Sequence, residues 1–165
     1  MKIEYKALLY DIANMAYVIA DTGRDSLHSL HRVRDIVEDG NIDRVSRVLG
    51  LAYVQVINIL SPLLRSPRVD ICKDFSAKPR DYVLNFRNDR GCSFSLTKEI
   101  KLHIKETVHE YMVCMVLADW LGITLPEASD VWKFRAEGCL TALRETCAEI
   151  ADSYTAGFRR KVSPI

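Results

Sequence analysis

The chain has few of the residues that mark phosphate-binding loops, metal clusters and disulfide frameworks. Its 165 residues include seven glycines, and these form no GxGxxG, P-loop or GxSxG pattern, which argues against nucleotide-binding loops and the hydrolase nucleophile elbow. The five cysteines are an odd number with no CxxC spacing, so the signatures of zinc knuckles and thioredoxin-type sites are missing. We expect these cysteines to be buried free thiols of a reducing compartment.

The chain also has little net charge, because 23 Lys and Arg oppose 22 Asp and Glu for a formal charge of +1. This balance argues against wholesale electrostatic attraction to nucleic acid or membrane. Glu4 stands early in an N-terminus that has no apolar stretch, so no secretory signal is expected. The apolar runs 48–64 and 111–125 are too short or too polar to span a bilayer. We therefore expect a soluble intracellular protein with no membrane partner.

Helical periodicity dominates the sequence and predicts a mainly α fold, a bundle of about five helices in a single domain over residues 1–165. The third helix is apolar nearly all round, so it is expected to lie at the centre of the bundle or under a partner. The expected helices span residues 3–20, 26–38, 42–64, 98–121 and 127–158, with Asn41 and Thr97 as N-caps, Gly122 closing the fourth and residues 124–127 forming a capping box.

Residues 65–97 interrupt the helical pattern and are expected to form a connector with an inserted β-hairpin. Residues 81–87 and 92–96 alternate apolar and polar side chains, and residues 88–91 between them indicate a turn. A lone hairpin is marginally stable, so it must pack on the helices or on another chain. The hairpin residues that we assign to a subunit interface are Tyr82, Leu84, Phe86, Phe94 and Leu96.

Charge is unevenly distributed along the chain. Residues 65–90 carry seven Lys and Arg against four Asp and Glu, whereas residues 122–150 carry three against five. Residues 159–165 form a basic C-terminal arm that cannot stay helical past Pro164. These charges are either solvated faces or patches that meet across copies of the chain. The arm residues expected to bind a partner are Arg159, Arg160, Lys161, Val162, Pro164 and Ile165.

Glu106 and His109 form a Glu-x-x-His pair on the fourth expected helix, and His103 lies six residues before His109. Di-iron bundles use two such pairs together with a Glu from each of two further helices, and here the second pair is missing. The pair supports an alternative identity, a small helical metal-binding or regulatory protein. We assign no catalytic residue, no metal ligand and no cofactor. Five arginines within residues 24–47 are offset by neighbouring acids, which makes a helix-turn-helix DNA reader a weak interpretation.

Two tryptophans flank the turn between the last two expected helices. Such a pair usually locks an αα-hairpin as part of its core, and anchoring of a subunit interface is the other interpretation. The residues assigned to this structural helix-turn are Tyr111, Trp120, Pro126 and Trp132.

The helix pattern of the second half, mainly residues 98–165, resembles that of small head–tail connector proteins of tailed bacteriophages and prophages, especially those of Bacteroides-like bacteria. The residues that carry the resemblance are His109-Glu110-Tyr111, Val116-Leu117-Ala118-Asp119-Trp120-Leu121, Pro126-Glu127-Ala128, Trp132 and Ala136-Glu137.

The resemblance implies a structural virion protein rather than an enzyme. Such an adaptor forms a ring, implied to be dodecameric, beneath the portal and links the capsid to the tail around the DNA channel. The implied partners are the portal protein and the next neck or tail protein, and DNA passes through the channel without sequence-specific binding. The implied location is the virion, assembled in the cytoplasm of a bacterial host. Adaptor, stopper and tail-completion roles all remain open at this point.

Overall fold

The structure is a computed structural model that describes residues 1–22, 27–65, 81–87 and 96–161. Within those ranges, five α-helices form a bundle with a two-stranded antiparallel sheet, which confirms the mainly α prediction. Short 3-10 turns follow the second and third helices. In chain order the elements are β1 (Lys2–Ile3), α1 (Tyr5–Thr22), α2 (Leu27–Arg34), α3 (Ile42–Leu60), β2 (Tyr82–Val83), α4 (Lys98–Thr124) and α5 (Pro126–Lys161).

The central helix is α4, which packs against α1, α2, α3 and α5. Consecutive side chains from Tyr111 to Cys114 are all buried, so α4 meets the core on every side along this turn. The apolar pattern of α3 predicted that this helix would lie at the centre of the bundle or under a partner. Instead α3 buries one face, and Leu51 on its other side is 61% exposed. The α4 sequence is apolar around its middle because its neighbours enclose it there.

The segment Ile42–Leu63 is, within the described part of the chain, long and apolar enough to cross a membrane by length and composition. The buried stripe of α3 accounts for much of this composition, because Val45, Leu49 and Val56 lie in the core of the bundle. A core helix and a membrane span share this hydropathy, so composition does not distinguish them.

Helices α4 and α5 form an antiparallel hairpin joined by Leu125 alone. The Ser129 hydroxyl donates to the Ala118 carbonyl at 2.9 Å, and farther along the Arg135 guanidinium lies 2.8 Å from the Glu110 carboxylate. If the two helices keep this alignment, the first turn of α4 lies beside the turn of α5 that precedes Ile150. Because α5 has 36 residues and α4 has 27, the last turns of α5 run past the beginning of α4.

The helix caps follow the sequence prediction at one of two positions. Thr97 is the N-cap of α4, as predicted, and its hydroxyl accepts a hydrogen bond from the Ile100 amide at 3.3 Å. Asn41 stands at the N-cap position of α3 but makes no side-chain cap hydrogen bond, and its side-chain amide nitrogen donates to the Asp35 carbonyl at 2.8 Å. The Asn41 side chain thus fastens the preceding 3-10 turn rather than the helix.

The junction between α4 and α5 differs from the predicted capping box. Helix α4 continues through Gly122 to Thr124, and the Thr124 hydroxyl donates back to the Trp120 carbonyl at 3.0 Å. Thr124 therefore belongs to α4 rather than to the start of α5, and the Ala128 amide donates to the Leu125 carbonyl at 3.0 Å. Pro126 opens α5, as expected for a residue whose missing amide hydrogen is not needed in a first turn.

Strand β2 forms within the predicted first arm of the hairpin, and its partner in the described structure is the N-terminus. Lys2 pairs with Val83 and Ile3 pairs with Tyr82, although the sequence analysis placed Ile3 at the beginning of the first helix. The N-terminal ammonium of Met1 extends the pairing by donating to the Leu84 carbonyl at 2.7 Å. Residues 88–95, which hold the predicted turn and most of the second arm, lie outside the described residues.

Candidate functional site

The predicted hairpin residues contribute to the core of this chain. Leu84 and Leu96 are buried there, whereas the sequence analysis expected them to face a neighbouring copy. Tyr82 and Phe86 are half-buried and pack against the same core. Phe94 lies outside the described residues. The segment around β2 therefore closes one end of the bundle, and its side chains are largely used within the chain.

The helix-turn residues tie α4 to its neighbours. The hydroxyl of buried Tyr111 donates to the Gln55 side chain of α3. The Trp120 indole donates to the Val33 carbonyl at 3.2 Å and so fixes α4 to α2. Trp132 is half-buried on α5 beside the turn. Trp120 and Trp132 are both packed in the chain's own structure, in agreement with the core interpretation.

Glu106 and His109 face different parts of the bundle. The His109 imidazole lies 2.6 Å from the Asp11 carboxylate of α1, whereas Glu106 and His103 line a groove against α5. Across residues 1–22, 27–65, 81–87 and 96–161, no group of three or more His, Cys, Asp or Glu side chains is arranged to hold a metal ion. His109 is engaged as a structural link between α1 and α4.

Part of the predicted C-terminal arm is helical. Arg159, Arg160 and Lys161 are the last residues of α5, so these three predicted arm residues are helical. Val162, Pro164 and Ile165 lie outside the described residues.

The described cysteines have the free, poorly reactive character expected of core thiols. Cys114 is buried, and Cys139 and Cys147 are half-buried, all as free thiols. Burial, followed by the nearby Glu110 carboxylate, raises the pKa of Cys114 to about 12. Burial also raises the pKa values of Cys139 and Cys147. A raised thiol pKa leaves little thiolate at neutral pH, so these cysteines are poor nucleophiles.

An exposed apolar face lies along α5, beside the α4–α5 groove. Val131 is 67% exposed and Phe134 is 79% exposed, and their spacing of three residues puts them on one side of the helix. The groove has a volume of about 730 Å³ and is bordered by Glu106 and Glu110 of α4. We call Val131, Phe134 and this groove the α5 face.

A second exposed apolar face lies on α1. Tyr10 is 67% exposed and Tyr17 is 55% exposed, and their seven-residue spacing aligns them along one side of the helix. Arg34 lies over the ring of Tyr17 at 4.6 Å. We call Tyr10 and Tyr17 the α1 face. Sequence reasoning missed both faces, because an apolar residue in an amphipathic pattern carries no mark of whether its helix neighbour covers it.

A basic groove lies at the end of the bundle where α4 begins. Its volume is about 930 Å³, and its floor includes Leu84, Phe86 and Leu102. Arg65 and Arg87 come together because residues 64 and 86 form an antiparallel bridge. The cationic side chains that line the basic groove are Arg65, Arg87, Lys98, Lys101 and Lys105.

Comparison with known proteins identifies no relative. The chain matches no protein-family model, no curated protein and no solved structure. The function is therefore inferred from the surfaces of the chain itself, which are the α1 face, the α5 face and the basic groove.

Proposed function

We propose that the protein is a structural component of a phage virion, a head–tail connector that assembles into a ring by contacts between the α1 face of one copy and the α5 face of the next. The observation that carries this proposal is the exposure of large apolar side chains on two separate flanks, led by Phe134 at 79% and Tyr10 at 67%. The resemblance of residues 98–165 to connector proteins supports the same assignment.

The placement of the two faces suits a head-to-tail contact. Asp11 of α1 pairs with His109 and Arg135 of α5 pairs with Glu110, so α4 separates the helices that carry the faces. A contact between two different surfaces is heterologous, and it generates a closed ring when the rotation per subunit closes. A contact of one face with itself would end at a dimer.

The two faces are chemically complementary. The α5 face offers apolar surface at Phe134 bordered by acceptors such as Glu106. The α1 face offers two tyrosines, whose rings supply apolar area and whose hydroxyls donate hydrogen bonds. Burial of one large apolar side chain contributes roughly 1.5–3 kcal/mol, so a few such residues form the centre of an interface whose polar rim adds specificity.

Introducing a negative charge at the exposed apolar residues tests the ring. Phe134→Asp and Tyr10→Asp, each on one face, are expected to abolish assembly and leave a folded chain of 18.8 kDa. Leu51→Asp is the matched control, because Leu51 is also exposed on a helix but belongs to neither face. Native mass spectrometry gives the assembly mass, and far-UV circular dichroism verifies folding. Assembly of folded Phe134→Asp as efficient as that of the unmodified chain would contradict the role of the α5 face.

Mixing the two variants tests whether the contact is head-to-tail. The Tyr10→Asp chain keeps its α5 face and the Phe134→Asp chain keeps its α1 face, so one intact contact can form between them. We expect an equimolar mixture to yield a one-to-one heterodimer and no larger species. If the mixture stays monomeric while the unmodified chain assembles, the α1 face does not bind the α5 face.

The end of α5 is the proposed contact to the portal or to the next neck protein. Its last turns run past the first residue of α4 and carry Arg159, Arg160 and Lys161. Deletion of residues 159–165 is expected to leave the ring intact and to weaken docking onto the portal protein, measured by co-sedimentation. Equal docking by the shortened and full-length chains would exclude this role.

A further inference from the structure

The basic groove concentrates positive charge in a chain that is nearly neutral. Residues 65–105 contain ten Lys and Arg and five Asp and Glu, a net charge of +5, whereas the remaining residues carry −4 for the total of +1. Three separate segments, at Arg65, at Arg87 and along the first turns of α4, supply the cations that line the groove. The fold therefore brings together an excess of positive charge that does not appear in the overall composition.

Among residues 1–22, 27–65, 81–87 and 96–161, the cations of the basic groove have no carboxylate partner. In the described part of the structure, no Asp or Glu lines the groove, and none of its five Lys and Arg side chains lies within 4.0 Å of a carboxylate. The Arg87 Nε donates to the Leu64 carbonyl at 2.9 Å, which orients its guanidinium. Five like charges at one site repel one another, and an anion bound among them relieves that repulsion.

A neighbouring copy offers two acidic stretches, and neither carries as many unpaired carboxylates as the groove has cations. Residues 35–43 carry four carboxylates and no Lys or Arg. On α5, residues 122–150 carry five carboxylates and three cations, a net charge of −2. Within that stretch Asp130 already pairs with Lys133, and Arg135 pairs with Glu110 of α4. Contact with either stretch of another copy would leave positive charge in the groove uncompensated, and a row of phosphates, with one charge on each unit, compensates all five cations.

We infer that the basic groove binds the phosphodiester backbone of nucleic acid without reading sequence. Lys98, Lys101 and Lys105 lie within two turns of α4 and span about 10 Å along it, which provides a row of cations rather than a single anion site. Arg65 and Arg87 add guanidinium groups, and a guanidinium group can bind two oxygens of one phosphate at once. The site lies within one chain, so it does not depend on ring formation.

Salt-dependent binding of the full-length chain to labelled DNA tests the inference. We expect fluorescence anisotropy with a 30-base-pair duplex of mixed sequence to show affinity that falls with salt, with a log–log slope of about −4 to −5 for five phosphate contacts. Lys101→Ala/Lys105→Ala removes two phosphate contacts, so the slope should become less steep by roughly 1.8. The same variant should bind at least tenfold more weakly at low salt. Single-stranded DNA of the same sequence is measured in parallel. The form that binds more tightly shows whether the groove prefers single-stranded or double-stranded DNA.

The matched control is Arg32→Ala/Arg47→Ala, which removes two exposed cations outside the groove. We expect this control to leave the slope unchanged. An equal loss in the control would assign binding to net charge rather than to the groove, and the absence of salt-dependent binding would contradict the inference outright. Equal affinity for polyglutamate of matched charge would assign the groove to acidic protein instead. Measurement in the Phe134→Asp background separates the result from ring assembly, because binding by a monomer is expected to persist.

Discussion

His109 and Glu110 are consecutive residues of α4, and their side chains bind opposite neighbours. The His109 imidazole lies 2.6 Å from Asp11 of α1, and the Glu110 carboxylate lies 2.8 Å from the Arg135 guanidinium of α5. Adjacent helix positions differ by about 100° around the axis, so this turn of α4 is held from both sides. Together with the packed core of the bundle, these two contacts hold the α1 face and the α5 face in a fixed relative position.

A double-mutant cycle of His109→Ala and Asp11→Ala should give a coupling energy of about 0.5–1.5 kcal/mol, because the pair is short but only partly buried. Urea denaturation at neutral pH supplies the free energies of unfolding. A parallel cycle of Glu110→Ala and Arg135→Ala, whose side chains are more exposed, should give a coupling in the lower part of that range. A coupling of zero for His109 and Asp11 would mean that the contact does not hold α1 to α4.

Truncation of a leucine to alanine should lower the free energy of unfolding strongly on α4 and only slightly on the outer side of α3. Leu117 is fully buried, so Leu117→Ala should lower the free energy of unfolding by about 2–5 kcal/mol through lost burial and a residual cavity. Leu51 is 61% exposed, and Leu51→Ala should change stability by less than about 1 kcal/mol. Chemical denaturation of both variants tests the comparison. Similar losses at the two positions would contradict the central place of α4.

The Cys114 thiol should resist alkylation in the folded chain. Its pKa is raised to about 12 by burial first and then by Glu110, so the folded state disfavours the thiolate. The associated stability is fully present below the unfolded thiol pKa near 9 and is lost as the pH rises toward 12. Site-resolved mass spectrometry after iodoacetamide treatment at pH 8 should show slow labelling of Cys114 in the folded chain and fast labelling in urea. Equal rates would contradict the burial of this thiol.

The alternative identity, a metal-binding or regulatory protein that uses Glu106 and His109, makes a separate prediction. Under the connector proposal, Glu106→Ala/His109→Ala should still assemble, because neither residue supplies the apolar centre of the two faces. Elemental analysis of the purified unmodified chain measures bound metal, and native mass spectrometry measures assembly. A stoichiometric metal in the unmodified chain that disappears from the variant would favour the alternative.

Much of the helical architecture could be predicted from sequence, because apolar periodicity reports which side of a helix is buried. The N-cap role of Thr97 could also be predicted, because the hydroxyl of a Thr that precedes a helix commonly accepts a hydrogen bond from an amide of the first turn. The pairing of Lys2 and Ile3 with β2 was not, because a two-residue strand has no detectable period and its partner lies about eighty residues away. Asn41 makes no side-chain cap bond, and its amide nitrogen donates to the carbonyl of Asp35, six residues earlier in the chain.

The candidate surfaces were less predictable than the fold. The sequence indicates that residues 65–90 are basic, but only the bridge between Leu64 and Phe86 brings Arg65 and Arg87 together beside α4. Likewise, periodicity places Phe134 off the buried stripe of Ala136, Leu143 and Ile150, but it does not report whether another element covers that side of α5. Both surfaces arise from long-range packing, to which single-sequence periodicity is blind.

The mass of the unmodified full-length chain in solution tests the central claim most directly. Native mass spectrometry at micromolar concentration, with negative-stain microscopy of the same sample, should show one discrete species at a multiple of 18.8 kDa greater than two and ring-shaped particles. A chain that remains a monomer, or that stops at a dimer, across this concentration range would contradict the proposed head-to-tail assembly.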